Sequence, residues 1–217
     1  MSKKAVIVSG GTLDEEFVTE VLGNMEYEIL IGVDRGNAFL YEHGICPTHV
    51  VGDFDSLSEE VVQYYKQRKG IEVREFDPVK DASDTEIAVR LAIELSCTEL
   101  VILGATGTRM DHIWANVQTL HAALEAGVRA ELLDSHNRIR LIDGETHLQK
   151  SEAFGSYFSL FPLGGEVKGF GIRGAKYPLY DHLLTPYDSL CVSNQIEGEE
   201  AVITFPQGEV ILMETRD

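Results

Sequence analysis

Residues 49–60 read HVVGDFDSLSEE, and this stretch contains a complete transition from a strand to a helix. The short apolar run Val50–Gly52 is typical of a buried strand, and it leads directly into two aspartates, Asp53 and Asp55. Ser56 follows, with a glutamate three residues later, which is the spacing of a helix capping box. A strand that passes into a capped helix is the repeating unit of an α/β domain.

The two aspartates at the end of this strand also predict chemistry. Alternate residues of a strand point to the same side, so Asp53 and Asp55 are expected to stand side by side, with Phe54 turned into the core. Two carboxylates that close repel each other unless a cation lies between them. The pair therefore indicates a metal site.

The same alternation of strands and helices continues over roughly the first 130 residues, the scale of one domain. The helical periodicity falls on Ile87, Leu91 and Leu95 in one segment and on Ile113, Val117, Leu120 and Leu124 in another, which ends at Gly127. The predicted strands are KAVIVSGG, EILIGVD, HVVGDFD, IEVREFD and ELVILGA. Apolar strands that alternate with helices predict a mostly parallel, Rossmann-like sheet with helices on both faces.

The pattern changes from about Arg138, where helical periodicity fades. Short strands are predicted instead, separated by the turn signals Asp143-Gly144, Gly164-Gly165 and Gln207-Gly208. They read RIRLID, SYFSLFPL, SLCVSNQ, AVITFP and EVILMET. We therefore expect two domains: an α/β domain over residues 1–142, and an antiparallel β-sandwich or roll over residues 143–217.

The composition excludes several classes of partner. The chain has 18 Lys and Arg against 36 Asp and Glu, a net charge of -18, so it lacks the basic surface that nucleic acid or an anionic membrane requires. The three scattered cysteines form no CxxC motif, which favours reduced thiols. The apolar run at the start of the sequence is too short for the core of a signal peptide. No apolar run approaches the ~20 residues of a membrane helix. We expect a soluble, cytoplasmic protein.

Four consecutive predicted strands, the second to the fifth, end in groups that suit a metal-bound polyphosphate. Ligands of open parallel sheets bind beyond the carboxyl ends of the strands, so these groups are expected to share one rim. Mg²⁺ typically takes one or two carboxylates together with phosphate oxygens. In chain order the groups are Asp34, Arg35 and Gly36; Asp53, Asp55 and Ser56; Asp77, Lys80, Asp81 and Asp84; and Gly104, Gly107, Arg109 and Asp111.

Several of these residues also fit purely structural roles. Ser83 and Glu86 have the spacing of a capping box, which would place Asp84 in the first helical turn, where the helix dipole favours an acid. Ser56 has the same form, and we expect it to cap a helix. His112 is expected to pack or to face solvent. The Asp-x-Asp pair also marks nucleotide-sugar glycosyltransferases, and the loop GATGTR lacks the Walker pattern.

The ordered motifs GVDRG, PTHVVGDFDS, KDASDTEIAV, GATGTRMDH and, much later, VSNQ resemble those of the bacterial thiamine pyrophosphokinase family over nearly the whole chain. The resemblance implies transfer of a pyrophosphoryl group from Mg-ATP to the hydroxyl of thiamine, with release of AMP. It also implies a homodimer in which the α/β cleft of one chain faces the β-domain of the other, so that two chains share the thiamine site.

The family resemblance further implies roles for individual residues. Asp53, Asp55 and Asp84 match the metal ligands and, with Lys80, form the catalytic set. ATP and its phosphates would be bound by Asp34, Arg35, Gly104, Gly107, Arg109, Asp111 and His112. Thiamine would be bound by Tyr177, Ser193 and Asn194.

Two other readings stay open at the level of sequence. One is a different nucleotide enzyme, either a diphosphokinase for another small alcohol such as a pterin or a DxD nucleotide-sugar transferase. The other is a metal or nucleotide sensor without catalysis.

For the pyrophosphoryl transfer that the resemblance implies, either Asp55 or Asp84 could accept the proton of the attacking hydroxyl.

Overall fold

The structure is a computed structural model that describes residues 2–76, 81–187 and 189–217. The chain divides into two compact units, one up to Ser135 and one from His136 onward. The division falls before the boundary expected after residue 142, because the strand Asn137–Ile142 pairs with a strand near the chain terminus.

The first unit alternates strands and helices, as the sequence predicts. Its strands are β1 (Lys4–Val8), β2 (Ile29–Val33), β3 (His49–Gly52), β4 (Glu72–Glu75), β5 (Glu99–Leu103) and β6 (Arg129–Leu133). Its helices are α1 (Glu15–Asn24), α2 (Arg35–Glu42), α3 (Glu59–Gln67), α4 (Asp84–Glu94) and α5 (Met110–Glu125). Strands β1, β2, β3 and β5 are almost completely buried, which explains their continuous apolar sequences.

The six strands form a parallel sheet in the order β4-β3-β2-β1-β5-β6. The direction of the chain across the sheet reverses between β1 and β5. Right-handed crossovers therefore place α1, α2 and α3 on one face and α4 and α5 on the other. Contacts of α2 with α3 and of α4 with α5 agree with this arrangement. The predicted Rossmann-like sheet with helices on both faces is confirmed.

The apolar periodicity predicts α4 and α5 correctly as helices. The face that is buried in the structure, however, is not centred on the residues that the periodicity indicates. In α4 the buried residues include Leu91 but also Ala88 and Ala92, whereas Ile87 is only half-buried. Small alanines let a helix approach its neighbours closely, so a count of large apolar residues misplaces the centre of the face. In α5, Val117 and Leu120 are buried together with the polar residues Asn116 and Thr119.

The described residues of the second unit form seven strands and one short 3-10 helix, Lys150–Glu152. The strands are β7 (Asn137–Ile142), β8 (Thr146–Gln149), β9 (Tyr157–Leu163), β10 (Val167–Arg173), β11 (Leu179–Leu184), β12 (Glu200–Thr204) and β13 (Glu209–Thr215). Strand β13 pairs antiparallel with β7 and β9, and a second antiparallel sheet has the order β11-β10-β12-β8. One apolar core takes side chains from both sheets, among them Leu160, Phe170 and Leu212, so the predicted β-sandwich is confirmed.

One predicted strand of this unit is wrong. The segment SLCVSNQ, residues 189–195, forms turns, with an isolated bridge between Asn194 and Phe158. The prediction also omitted β8, β10 and β11, in part because two glycines interrupt the apolar pattern of β10, VKGFGIR. In the described part of the chain, no helix combines the length and the apolar character needed to cross a membrane.

Candidate active site

A cleft of about 630 Å³ lies beyond the carboxyl ends of the strands in the first unit. It is at the position where the strand order reverses, between β1 and β5, which is where open parallel sheets bind their ligands. The structure brings together here most of the residues predicted from the sequence: Asp34, Arg35, Asp53, Asp55, Asp84, Gly104, Gly107, Arg109 and His112. Lys80 and Asp77 lie outside the described residues.

Asp53 and Asp55 lie in a turn, which corrects the expectation that they are alternate residues of a strand. Strand β3 ends at Gly52, and Phe54 has a left-handed backbone with φ 62°. The N–H of Asp55 donates to Asp53 Oδ1 at 3.1 Å, so the turn closes through the carboxylate itself. The side chain of Phe54 is buried against Val50 and its neighbours in the core, as expected.

Asp34 is held against the end of β3. It is the residue before α2 and has an unusual backbone conformation, with φ 47° and ψ -122°. Its N–H donates to Val51 O at 3.3 Å, and the side-chain amide of Asn37 donates to the same oxygen at 3.3 Å. A Cβ on Gly52 would lie 2.8 Å from Asp34 Oδ1, so only glycine leaves room for this carboxylate. The ends of β2 and β3 are therefore locked together.

The start of α4 places Asp84 at the cleft. Ser83 is the N-cap, and its hydroxyl accepts from the N–H of Glu86 at 3.2 Å, as the capping pattern predicts. Asp84 is then the first residue of the helix, where the dipole favours its charge. The capping role predicted for Ser56 is wrong: Ser58 caps α3 and Ser56 lines the cleft.

Two glycine-containing loops, Ser9–Thr12 after β1 and Gly104–Gly107 after β5, run side by side at the cleft. The N–H groups of Ser9, Gly11 and Thr12 donate to Leu103 O, Gly104 O and Thr106 O at 2.8, 2.8 and 2.9 Å. Gly104 has φ +66°, and a Cβ there would lie 2.5 Å from Ser9 O. No role is predicted for Ser9–Thr12 from the sequence. The available signal was the glycine pair at the carboxyl end of a buried strand.

Arg109 and Asp111 form an exposed ion pair at the start of α5. Arg109 donates from Nη2 to Asp111 Oδ2 at 2.5 Å and from Nε to Oδ1 at 3.2 Å. The hydrogen bond from the guanidinium lowers the pKa of Asp111, and the same bond raises the pKa of Arg109. Arg109 lines the cleft and Asp111 does not, so Asp111 orients the arginine.

The predicted thiamine-binding residues of the second unit also meet. Asn194 is buried, and its Oδ1 accepts from the N–H of Tyr177 at 3.0 Å and of Gln195 at 2.9 Å, while its Nδ2 donates to Tyr177 O at 2.9 Å. Ser193 has φ 58°, and its N–H donates to Ser159 Oγ at 3.0 Å. The hydrogen bonds of Asn194 thus hold the backbone of Tyr177 next to the Ser193 turn. Tyr177 itself is 56% exposed.

The carboxylates of the cleft suit a divalent cation that is shared with a ligand. Within the described ranges, no three His, Cys, Asp or Glu side chains are grouped to hold a metal ion unaided. Asp53, Asp55 and Asp84 nevertheless line one cleft, and Mg²⁺ usually completes its coordination with water and phosphate oxygens. These oxygen donors therefore fit a magnesium ion that arrives with a nucleotide.

A parallel sheet with such a cleft at its reversal point defines a doubly wound α/β protein, a class that binds its ligands at this position. Comparison with known proteins specifies the family. The model of the "Thiamin pyrophosphokinase, catalytic domain" matches residues 24–132, and that of the "Thiamin pyrophosphokinase, vitamin B1 binding domain" matches residues 145–210. The chain belongs to the thiamin pyrophosphokinase family and is an enzyme, so the resemblance seen in the sequence is confirmed.

Relatives match over nearly the full length. Thiamine pyrophosphokinase of Bacillus subtilis is 30% identical over 97% of this chain and 98% of its own. The crystal structure of the Bacillus subtilis enzyme has a TM-score of 0.87 at 29% identity, covering 99% of this chain and 100% of that one. The yeast thiamin pyrophosphokinase structure, at 16% identity, has a TM-score of 0.81 over 99% of this chain and 86% of that one, and shows the same fold.

Proposed function

We propose that the protein transfers a pyrophosphoryl group from Mg-ATP to the hydroxyl of thiamine and releases thiamine diphosphate and AMP. The observation that carries the proposal is the cleft between β1 and β5, where four aspartates and two arginines line one cavity. Both kinds of group are needed to bind a triphosphate. The carboxylates hold a metal cation that neutralises part of the phosphate charge, and the arginines contribute positive charge directly.

The chemical step balances with the groups at hand. The thiamine hydroxyl oxygen bonds to the β-phosphorus of ATP, and the bond from that phosphorus to the oxygen bridging the α-phosphate breaks. AMP leaves with the electron pair, and a carboxylate accepts the hydroxyl proton; Asp55 and Asp84 are the two candidates in the cleft. Mg²⁺ held by Asp53, Asp55 and Asp84 would neutralise phosphate charge.

Positive side chains of the chain itself support the leaving group. Arg109 lines the cleft and is oriented by its ion pair with Asp111, so its charge can offset the charge that develops on AMP. Arg35 lines the same cleft, next to Asp34 at the carboxyl end of β2. Transfer of this kind depends mainly on positioning and charge neutralisation, which these fixed groups supply.

We assign thiamine to the second unit, on Tyr177 and Ser193. The exposed ring of Tyr177 offers an aromatic face, which attracts the cationic thiazolium of thiamine. The contacts of Asn194 described above are to the backbone, so its role is to hold Tyr177 in place. The vitamin B1 binding family model covers this region, which supports the assignment.

We also propose a homodimer in which two chains share the site. Among the described residues, six of the eight exposed large hydrophobic side chains lie in one stretch of the second unit: Tyr177, Tyr180, Leu183, Tyr187, Leu190 and Val192. Exposed apolar groups concentrated in this way indicate a surface that another molecule covers. Their position around Tyr177 favours a partner chain that completes the thiamine site.

The decisive experiment is AMP release from Mg-ATP with and without thiamine, followed by chromatography of the products. The proposal predicts thiamine-dependent AMP with an equal amount of thiamine diphosphate. Formation of ADP would show ordinary phosphoryl transfer instead. AMP formed with a pterin alcohol but not with thiamine would reassign the substrate, and nucleotide binding without turnover would identify a sensor.

A further inference from the structure

Two buried hydroxyl groups meet at the wall of the cleft. Ser9 follows β1 and Thr85 is the second residue of α4, and their Oγ and Oγ1 atoms are 2.6 Å apart. Both residues line the cleft, although they are only 4% and 7% exposed. The contact joins the central strand of the sheet to the helix that begins with Asp84.

The pair has one hydrogen more than it uses. Between two hydroxyl groups one donates and the other accepts, and the accepting group keeps its own hydrogen. In the part of the chain that the structure describes, neither Ser9 nor Thr85 makes another side-chain hydrogen bond. A buried O–H without an acceptor is unfavourable, so the remaining donor is suited to a group that enters the cleft.

The surroundings favour an anionic acceptor. Thr85 lies in the first turn of α4, where the helix dipole attracts negative charge. Ser9 begins the loop that pairs with Gly104–Gly107 at the reversal point of the sheet. Four aspartates line the same cleft and suit a cation that brings a phosphate with it, and such a phosphate would present oxygen acceptors to the hydroxyl pair.

We propose that the Ser9–Thr85 pair binds a phosphate oxygen of the nucleotide. One hydroxyl donates to that oxygen, and the other donates to the first and holds it in position. The inference rests on the proposed function in taking a nucleoside triphosphate as the ligand of the cleft. It assigns a second binding element, made of neutral donors, in addition to the carboxylates and arginines.

The test measures the Kd of the full-length protein for α,β-methylene-ATP with Mg²⁺ by calorimetry, because this analogue blocks cleavage between the α- and β-phosphates. The variants are Ser9→Ala, Thr85→Val and the double variant, with Thr85→Ser as the substitution that keeps the hydroxyl. Thr119→Val is the matched control. Thr119 is 8% exposed, and its hydroxyl donates to Ala115 O at 3.0 Å within α5.

We expect the double variant to bind the analogue about tenfold to 100-fold more weakly, the effect of losing one hydrogen bond to a charged group. Its melting temperature should stay close to that of the wild type, because both partners are removed together. Thr119→Val and Thr85→Ser should bind within threefold of the wild type. A double variant that also binds within threefold would overturn the proposal.

The single variants keep the test decisive if the double variant fails to fold. The one that removes the hydroxyl in contact with the nucleotide must show the full loss, so two single variants within threefold of the wild type also overturn the proposal. Wild-type protein that binds the analogue without thiamine-dependent AMP formation refutes the proposed reaction and leaves this comparison valid. Wild-type protein that does not bind the analogue refutes both.

Discussion

Three residues of the candidate site have left-handed backbones: Asp34, Phe54 and Ser193, with φ values of 47°, 62° and 58°. This conformation costs an L-residue about 1–2 kcal/mol and persists only where the surroundings fix it. The buried ring fixes Phe54, and hydrogen bonds to Val51 O and Ser159 Oγ hold the other two. The strained positions carry or flank groups with proposed contacts to metal, nucleotide or thiamine.

Asp55→Asn should lower turnover by about 100-fold, the scale of removing one preorganised charged contact, while the fold stays intact. The substitution keeps the size of the side chain and the N–H that closes the turn on Asp53, but it removes the negative charge. Turnover is measured as thiamine-dependent AMP release, and folding by melting temperature. Asp143→Asn, in an exposed turn of the second unit, is the control. Near-normal turnover of Asp55→Asn at saturating Mg²⁺ would show that Asp55 is not a metal ligand.

Glu214→Gln should destabilise the protein by about 3 kcal/mol near neutral pH, the scale of breaking a buried ion pair. Glu214 is 3% exposed and accepts from Arg138 at 2.6 and 2.9 Å and from Arg140 at 2.6 Å. Burial raises the pKa of Glu214, but the two guanidiniums outweigh burial and hold the pKa below its usual value.

The sign of the pH dependence follows from that lowered pKa. Stabilisation by Glu214 is fully present above the pKa of an unfolded glutamate, about 4.3, and is lost as pH falls through the lower folded value. The difference in melting temperature between wild type and Glu214→Gln should therefore shrink below about pH 4. Exposed Glu199→Gln is the control, and a difference independent of pH would contradict the assignment.

At the scale of elements, the two glycine loops of the cleft depend on each other. Gly104→Ala should destabilise the protein and weaken nucleotide binding, since the new Cβ would lie 2.5 Å from Ser9 O. Gly127→Ala is the matched control: its φ is +70°, but nothing lies within 4 Å of a Cβ there, so it should cost only about 1–2 kcal/mol. Melting temperature and nucleotide Kd check both, and equal effects would show that crowding at the loop is unimportant.

The elements that the sequence predicts best are those marked by a single strong local pattern, such as a continuous apolar run or a capping residue. Strands β1, β2, β3 and β5 are apolar because they are buried on both faces, and Ser83 caps α4 as its spacing indicates. Contacts between distant residues could not be predicted in the same way. The pairing of Ser9 with Leu103, and the clamp of Asn194 on Tyr177, join segments whose local sequences do not encode their meeting.

At the scale of the whole molecule, each unit contains part of the candidate site. The carboxylate cleft belongs to the first unit and the Tyr177 region to the second. The proposed reaction therefore requires both units and, with the proposed shared site, two chains. The large net negative charge of the chain does not prevent two chains from associating through an apolar surface. The exposed side chains around Tyr180 form such an apolar surface.

Light scattering should give twice the chain mass of 24.1 kDa for the active species. Replacing Tyr180 and Leu183, both exposed on β11, by lysine should shift the protein toward monomer and lower turnover in parallel, because repelling charges would meet at the apolar surface. The melting temperature of the variant checks that each chain still folds. A fully active monomer would refute the shared site.

The reversal of strand order between β1 and β5 also governs when the cleft can form during synthesis. Val8 of β1 pairs with Leu103 of β5, so the loop after β1 is synthesised well before the loop after β5 that pairs with it. Such long-range pairing closes late because a large chain loop must be ordered first. A nascent chain lacking β5 has no complete cleft, and a nucleotide that binds only the finished sheet stabilises the chain once that strand has docked.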